Sequence, residues 1–277
     1  MTRELDALAA RDPDAGAAAA LLRAVLAAAA ALPPSLPAGV PDLEAARARL
    51  AAGVPALAGE PLADGAALRL NVAALARSLG SDPVAGETVS EVAARLLDAV
   101  PPDAADALAE AALAGAWDAV AELARGLDLD EHLVRLVVDL AVQPPLRTAS
   151  ALVLPDAAAA DAAGWRRGVC PACGAPPLLA ELRGAQRERV LRCGRCAAAW
   201  AFPRGACPAC GERDHRRLRL LHARGEEEFR RVSCCESCRA ALKEVAALAP
   251  LDAAALAETD LATAALDFLI LERGYHR

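Results

Sequence analysis

The chain has 277 residues, of which 56% are hydrophobic and 3% aromatic, and a formal net charge of −7. High hydrophobicity with a small net charge excludes a disordered chain, and the length suits one large or two modest domains. Alanine supplies 75 residues. Because alanine buries little area, the core is expected to be thin per residue.

The sequence predicts neither a membrane span nor an export signal. The most apolar run, Ala24 to Leu32, is well short of the roughly 20 residues that a spanning helix needs. The first residues, MTRELDALAARDPD, are acidic where a signal peptide is basic. We therefore expect a cytoplasmic protein without membrane insertion, whose cysteines stay reduced.

Hydrophobic periodicity predicts an all-α N-terminal domain. Runs at helical spacing occur at 15–31, 42–52, 65–79, 89–100, 104–114, 116–126 and 130–142. Pro144 and Pro145 are expected to end the last of them. One more helix is predicted near the C-terminus, from Asp252 as N-cap to Gly274 as C-cap. The helical domain contains no glycine-rich phosphate loop, HExxH motif or nucleophile elbow.

Cysteine content and charge both change near residue 164. Residues 1–163 hold no cysteine and carry 11 arginines and 23 acidic residues, a net charge of −12. Residues 164–240 carry 16 arginines and 8 acidic residues, a net charge of +8, and residues 241–277 return to −3. The alanine-rich stretch from Asp156 to Gly164 resembles a linker. We predict a helical domain over 1–163, tandem metal-binding ribbons over 164–240 and a helical tail over 241–277.

Four CxxC pairs hold eight of the nine cysteines. Two residues between cysteines allow a tight turn that directs both sulfurs at one ion. A glycine after the turn, such as Gly174 or Gly211, accommodates the positive φ often needed there. Four thiolates satisfy a tetrahedral ion such as zinc or iron, so the pairs fit two sites. The candidate metal ligands are Cys170, Cys173, Cys193, Cys196, Cys207, Cys210, Cys235 and Cys238.

The spacing predicts that a local β-hairpin carries each pair to its partner. Gaps of 19 and 24 residues separate the first pair from the second and the third from the fourth. The expected hairpins are 178–183 with 187–192, turning at Gly184, and 216–222 with 227–232, turning near Gly225. We therefore expect the first four paired cysteines on one ion and the last four on another. A crossed arrangement, first pair with third and second with fourth, is the alternative.

Other interpretations stay open on the residues alone. A CxxC pair can be a redox dithiol, and a four-cysteine site can be purely structural, since a small ribbon needs its ion to fold. Cys234 breaks the pattern and is a core residue, a spare thiol or a register alternative to Cys235. The four histidines show no ligand spacing. The aromatic residues near the pairs, which fill the core or anchor a partner, are Trp165, Trp200 and Phe202.

From residue 165 onward the sequence resembles the FdhE family, the formate dehydrogenase accessory proteins. The matching residues are Trp165-Arg166-Arg167-Gly168, the four CxxC pairs, Trp200, Arg204, Leu242-Lys243, Asp260-Leu261-Ala262-Thr263 and Leu266-Asp267. The plan is similar too: an α+β chain with an all-α N-terminal domain, two rubredoxin-like or zinc-ribbon β modules and a C-terminal helix. Two departures are Cys234 and Ala241, the latter standing where an aromatic residue often precedes Leu-Lys.

The resemblance implies a maturation factor without catalysis that formate dehydrogenase needs to become active. It would contact the molybdenum-containing catalytic subunit and hold two metal ions, iron in preference to zinc. The alternatives are a zinc-ribbon adaptor for nucleic acid or protein, and a rubredoxin-like electron carrier. The adaptor for nucleic acid is disfavoured, because two divalent ions held by eight thiolates lower the ribbon charge from +8 to about +4. Aromatic residues for base stacking are also few.

Overall fold

Each helical run predicted in the first 153 residues corresponds to a helix. The computed structural model of the chain describes residues 13–33, 35, 37, 39–60, 62–80, 86–155, 160, 164–222, 225 and 228–277. The helices are α1 (Pro13–Ala30), α2 (Leu43–Ala51), α3 (Gly65–Gly80), α4 (Gly86–Ala99), α5 (Pro102–Ala114), α6 (Trp117–Gly126) and α7 (Glu131–Val153). Of the predicted linker, residues 156–159 and 161–163 lie outside the described residues.

Helix α7 continues through its two prolines to Val153, so the predicted end at Pro144 is wrong. A proline lacks the N–H that would donate to the carbonyl four residues earlier. For Pro145 that carbonyl belongs to Ala141, and the buried Asn71 side chain of α3 donates to it instead, with an Nδ2–O distance of 2.8 Å. A side chain from another helix thus replaces the missing donor.

The described residues divide into two compact units. The helical unit comprises Leu57–Ala149 and the described part of Leu8–Pro41, and the sheet unit comprises Asp42–Ala56 and the described part of Ser150–Arg277. The helical unit is built around small side chains. Its fully buried residues include Ala93, Ala112, Ala124, Val137 and Val138, so each contributes little buried area, as the composition predicted.

One six-stranded sheet organises the sheet unit. Its strands are β1 (Leu179–Arg183), β2 (Glu188–Arg192), β3 (Ala199–Ala201), β4 (Leu218–Leu221), β5 (Arg230–Cys235) and β6 (Ala241–Ala247), in spatial order β3-β2-β1-β6-β5-β4. The two predicted hairpins are the antiparallel pairs β1–β2 and β4–β5. Most of the second turn, residues 223, 224, 226 and 227, lies outside the described residues.

Strand β6 lies in the segment that the sequence predicted as a helical tail. It pairs parallel to β1 and antiparallel to β5, and so joins the two ribbons into one sheet. Side chains alternate between the two faces of such a sheet. Leu220, Ser233 and Leu242 are cross-strand neighbours on one face, here called the knuckle face. Val232 and Cys234 lie on the opposite face, here called the helix face, and pack against the tail.

The tail forms two helices rather than one, α8 (Ala253–Ala262) and α9 (Ala264–Glu272). Asp252 caps α8 as predicted, and its side chain accepts from the Ala255 N–H at 2.8 Å. The break falls at Thr263, whose hydroxyl donates to the Thr259 carbonyl at 2.7 Å. Within the described residues no helix combines the length and apolar character needed to cross a membrane.

Candidate metal centres

All four CxxC segments share one backbone hydrogen-bond pattern. The N–H of the first cysteine donates to the carbonyl five residues later, and the N–H four residues later donates back to that cysteine. These bonds measure 2.8 to 3.1 Å, and they join Cys170 with Ala175 and Gly174, Cys193 with Ala198 and Ala197, Cys207 with Glu212 and Gly211, and Cys235 with Ala240 and Arg239. Each segment is therefore a closed turn, here called a knuckle, that fixes the directions of its two sulfurs.

The residue that closes each knuckle has a positive φ. Gly174 and Gly211, at 79° and 78°, have the role that the sequence predicted for them, while Ala197 and Arg239 adopt 61° and 62°. The left-handed conformation costs an L-residue about 1–2 kcal/mol. Two of the four knuckles therefore carry backbone strain that glycine would avoid.

The tail braces the strained fourth knuckle through Arg239. Its guanidinium stacks on the Tyr275 ring, 3.9 Å from the centroid, and donates to the carbonyls of Arg273 and Gly274 at 2.7 and 3.2 Å. The Tyr275 hydroxyl in turn donates to Glu236, within that knuckle, at 2.6 Å. These contacts offset the strain, and they account for an arginine where glycine would fit the backbone.

The knuckles meet in two groups of four sulfurs, and within each group every sulfur lies within 4.8 Å of the others. Site 1 contains Cys170, Cys173, Cys193 and Cys196, and site 2 contains Cys207, Cys210, Cys235 and Cys238. Two sulfur–sulfur distances are 3.5 and 3.6 Å in site 1, and two are 3.6 and 3.7 Å in site 2. A tetrahedral ion with bonds of about 2.3 Å to sulfur separates its ligands by about 3.8 Å. The grouping follows chain order, as predicted, and each site can hold one metal ion.

The two sites differ in exposure. Cys170, Cys193 and Cys196 of site 1 are buried, whereas in site 2 Cys210 is exposed and Cys238 is half-buried. Burial raises the pKa of the Cys170 thiol well above its usual value and that of Cys238 to about 12. Thiolates at these positions therefore need a nearby cation, which a four-thiolate metal site supplies.

Residues 165–168 contact parts of the chain next to both sites. The Trp165 indole donates to the Val169 carbonyl at 3.0 Å, and the Trp200 indole donates to a carbonyl within the stretch at 3.1 Å. A Cβ on Gly168 would lie 1.9 Å from the carbonyl oxygen of Pro208 in the third knuckle, so only glycine fits there. Both tryptophans are buried, as is Phe202, and these aromatic residues fill the core.

Three of the residues that resemble the FdhE family, Lys243, Asp260 and Asp267, form one ion-pair network on the helix face. Lys243 is fully buried, and its Nζ lies 2.7 Å from Asp260 Oδ1 and 2.9 Å from Asp267 Oδ2. Arg277 pairs with the same two aspartates at 2.6 and 3.1 Å. Two cations thus balance two carboxylates, and the network attaches α8 and α9 to β6.

Two buried ion pairs in the sheet have no signal in the sequence, because charged residues in short strands usually face solvent. Glu181 is fully buried against Arg192, and Arg189 Nε lies 2.9 Å from Glu244 Oε1. Burial lowers the pKa of both guanidiniums, while the glutamates oppose the change. Arg192 directly precedes the second knuckle, and Arg189 donates to the Ala206 carbonyl just before the third at 2.9 Å. Each site therefore has a buried arginine close to one of its knuckles.

Cys234 belongs to neither sulfur group. It packs on the helix face with Val232, Leu266 and Ile270, and burial raises the pKa of its thiol to about 12. Of the three interpretations open on the sequence, the structure therefore favours a core residue. No histidine joins a candidate ligand group within the described residues.

Comparison with known proteins gives partial sequence matches. No protein-family profile matches the chain. A curated Protein FdhE homolog from Pseudomonas aeruginosa is 35% identical over 117 residues, which are 40% of this chain and 38% of that protein. Another, from Stutzerimonas stutzeri, is 34% identical over 113 residues, 39% of this chain and 36% of that protein. The matches thus span less than half the length of these relatives.

A solved structure extends the similarity to almost the whole chain. The crystal structure of the FdhE protein from Pseudomonas aeruginosa is similar with a TM-score of 0.63 and 27% identity, over 99% of this chain and 90% of that one. The two sequence relatives and the solved structure are all FdhE proteins or their homologs. The chain is thus similar to FdhE proteins in sequence over part of its length and in fold over almost all of it.

Proposed function

We propose that this chain is a formate dehydrogenase accessory protein. It binds the catalytic subunit of that enzyme during maturation, works in the cytoplasm and catalyses no reaction itself. The proposal is carried by the similarity to an FdhE protein over 99% of the chain, together with two four-cysteine groups formed by the four CxxC pairs. The reducing cytoplasm keeps such cysteines available as ligands.

We further propose that all eight paired cysteines are ligands and that the two ions are iron rather than zinc. Sulfur separations of 3.5 to 3.7 Å suit either ion, and the preference for iron comes from the family resemblance. A divalent ion with four thiolates carries a net charge of about −2. In the sheet, Glu181 pairs with Arg183 and Arg192, and Glu244 pairs with Arg189 and Arg231, so each group carries a net charge of +1 and offsets part of it. When bound, each ion cross-links its two knuckles, and iron would also allow one-electron transfer.

The metal is tested on protein purified from its own host without chelators. Elemental analysis is expected to find iron in both sites, and the protein should be red and bleach on reduction. A colourless zinc protein that supports full maturation would contradict iron and any redox role.

The function is tested in a cell that contains a formate dehydrogenase. Deleting the gene should abolish formate oxidation, and a plasmid copy should restore it. The wild-type protein should also co-purify with the catalytic subunit. Intact formate oxidation after deletion would contradict the proposal, whatever metal the protein holds.

A second candidate function is that of a rubredoxin-like electron carrier. It is favoured by the exposure of Cys210, because an exposed ligand shortens the distance over which an electron would pass to a redox partner. A carrier would cycle between two redox states with an electron donor and acceptor in the absence of any formate dehydrogenase polypeptide. An accessory protein would show its effect only when the client is present.

A further inference from the structure

A cleft of about 590 Å³ opens on the knuckle face of the sheet beside site 2. Its apolar lining includes Leu218, Leu220 and Leu242 of the sheet. Cys207 and Cys235 of site 2 line it as well, whereas site 1 contributes none of its cysteines. The volume lies within the range of about 300–1,000 Å³ typical of ligand sites, enough for a short peptide segment.

The cleft reaches the open edge of the sheet. Strand β4 is last in the strand order and pairs with β5 alone among the described strands. Its residues Leu218, Arg219 and Leu220 all line the cleft, so the cleft extends across the sheet to the last described strand. Leu220 is 53% exposed. Such an edge is a template for an added strand from another polypeptide.

Arg204 gives the cleft its charge preference. It is exposed and lines the cleft, and it has no hydrogen-bond or ion-pair partner among the described residues. Other lining arginines are paired, Arg231 with Glu244 at 2.8 Å and Arg277 with Asp260 at 2.6 Å. The Arg204 guanidinium is therefore available to a carboxylate from outside.

We infer that this cleft binds an extended segment of the client polypeptide, an inference that rests on the proposed accessory function. The segment adds to the edge of β4, covers Leu220 and Leu242 with apolar side chains, and pairs an aspartate or glutamate with Arg204. The bound segment lies against the knuckles of Cys207 and Cys235. Site 2, rather than site 1, is thus the metal centre that the client meets.

The test is equilibrium binding of purified formate dehydrogenase catalytic subunit to the metal-loaded full chain. Arg204→Glu and Leu220→Asp are expected to weaken binding by about ten-fold or more, since both change the centre of the contact. Arg204→Lys keeps the charge and should stay close to wild type. The matched controls are Arg273→Glu and Leu271→Asp, at exposed positions outside the cleft, and they should bind as wild type does.

Metal content and thermal stability are measured on every variant to show that only the surface has changed. A photoreactive amino acid in place of Leu220 should cross-link to a client segment that contains apolar and acidic residues. Equal binding by all variants would contradict client binding in the cleft, and so would cross-links only to a second copy of this chain or to nucleic acid. Neither result would contradict the accessory function. Absence of binding by the wild-type chain would overturn both.

Discussion

Cys196 and Cys210 each complete a CxxC pair, yet Cys196 is buried and Cys210 is exposed. Either change to serine removes one of four ligands and is expected to release one of the two ions. Cys196→Ser should also lower the unfolding temperature more, because it leaves a hydroxyl and unpaired thiols in a buried site. Metal analysis and thermal melting of the purified variants check both expectations.

Cys234→Ala is the control for these changes, since Cys234 lies outside both sulfur groups. This variant should keep both ions. Loss of the site 2 ion from Cys234→Ala would mean that Cys234 replaces Cys235 as ligand, and that the register of β5 differs from the one described.

Substitution by glycine should affect stability differently in the two knuckles that are closed by a non-glycine residue. Ala197→Gly relieves left-handed strain and should be neutral or stabilise by up to about 1 kcal/mol. Arg239→Gly relieves the same strain but removes the stack on Tyr275 and the bonds to residues 273 and 274. It should lower stability and speed loss of the site 2 ion to a chelator. Equal effects of the two substitutions would show that these contacts contribute nothing.

At the scale of elements, the continuity of α7 depends on one side chain. Asn71→Ala leaves the Ala141 carbonyl buried without its donor and should lower the free energy of unfolding by about 1–3 kcal/mol. Pro145→Ala returns a backbone N–H to the helix, so Asn71→Ala should cost less in that background. Urea unfolding of the two single variants and the double variant measures the coupling, and a coupling of zero would contradict this account.

The attachment of the tail helices to β6 depends on Lys243. Lys243→Met removes the buried cation from two carboxylates and should destabilise the tail by about 3 kcal/mol or more. Arg277→Ala removes the more exposed of the two cations and should cost less. Limited proteolysis between residues 247 and 263, together with thermal melting, should show that Lys243→Met destabilises the tail more than Arg277→Ala does. Equal sensitivity of the two variants to the protease would contradict this expectation.

The sequence predicted those elements that depend on residues close together in the chain. The seven helices described within the first 153 residues follow periodicity, and the hairpins and the sequential grouping of cysteines follow spacing. Strand β6 was missed although β5 is close in the chain, because its other partner, β1, lies far back and both faces of β6 are largely buried, so it shows no apolar–polar alternation. The continuation of α7 and the burial of Glu181 likewise depend on partners that only the folded chain brings close.

At the scale of the whole molecule, metal binding should stabilise the sheet unit alone. The helical unit has an extended apolar cluster and contains no cysteine. In the sheet unit the ligands lie on four short knuckles, which a metal ion would join two by two. The sheet unit should therefore need its ions to stay folded. Chelation in moderate denaturant is therefore expected to unfold the sheet unit first.

A Trp117→Phe background makes this test specific, because the remaining tryptophans, Trp165 and Trp200, both lie in the sheet unit. Chelation should change their emission while most of the helical circular dichroism remains. Loss of both signals in one transition would show that the units unfold together.

The central place of β6 imposes an order on folding during synthesis. The cysteines of site 1 are complete at residue 196 and those of site 2 at residue 238, before β6 begins at Ala241. Because the chain leaves the ribosome from its N-terminus, each hairpin can capture its ion before the strand that joins them is available for pairing. A chain of which residues 1–240 have left the ribosome could hold both ions yet leave the inner edges of β1 and β5 unpaired. Unpaired strand edges pair readily with other chains, so that state should be prone to aggregation.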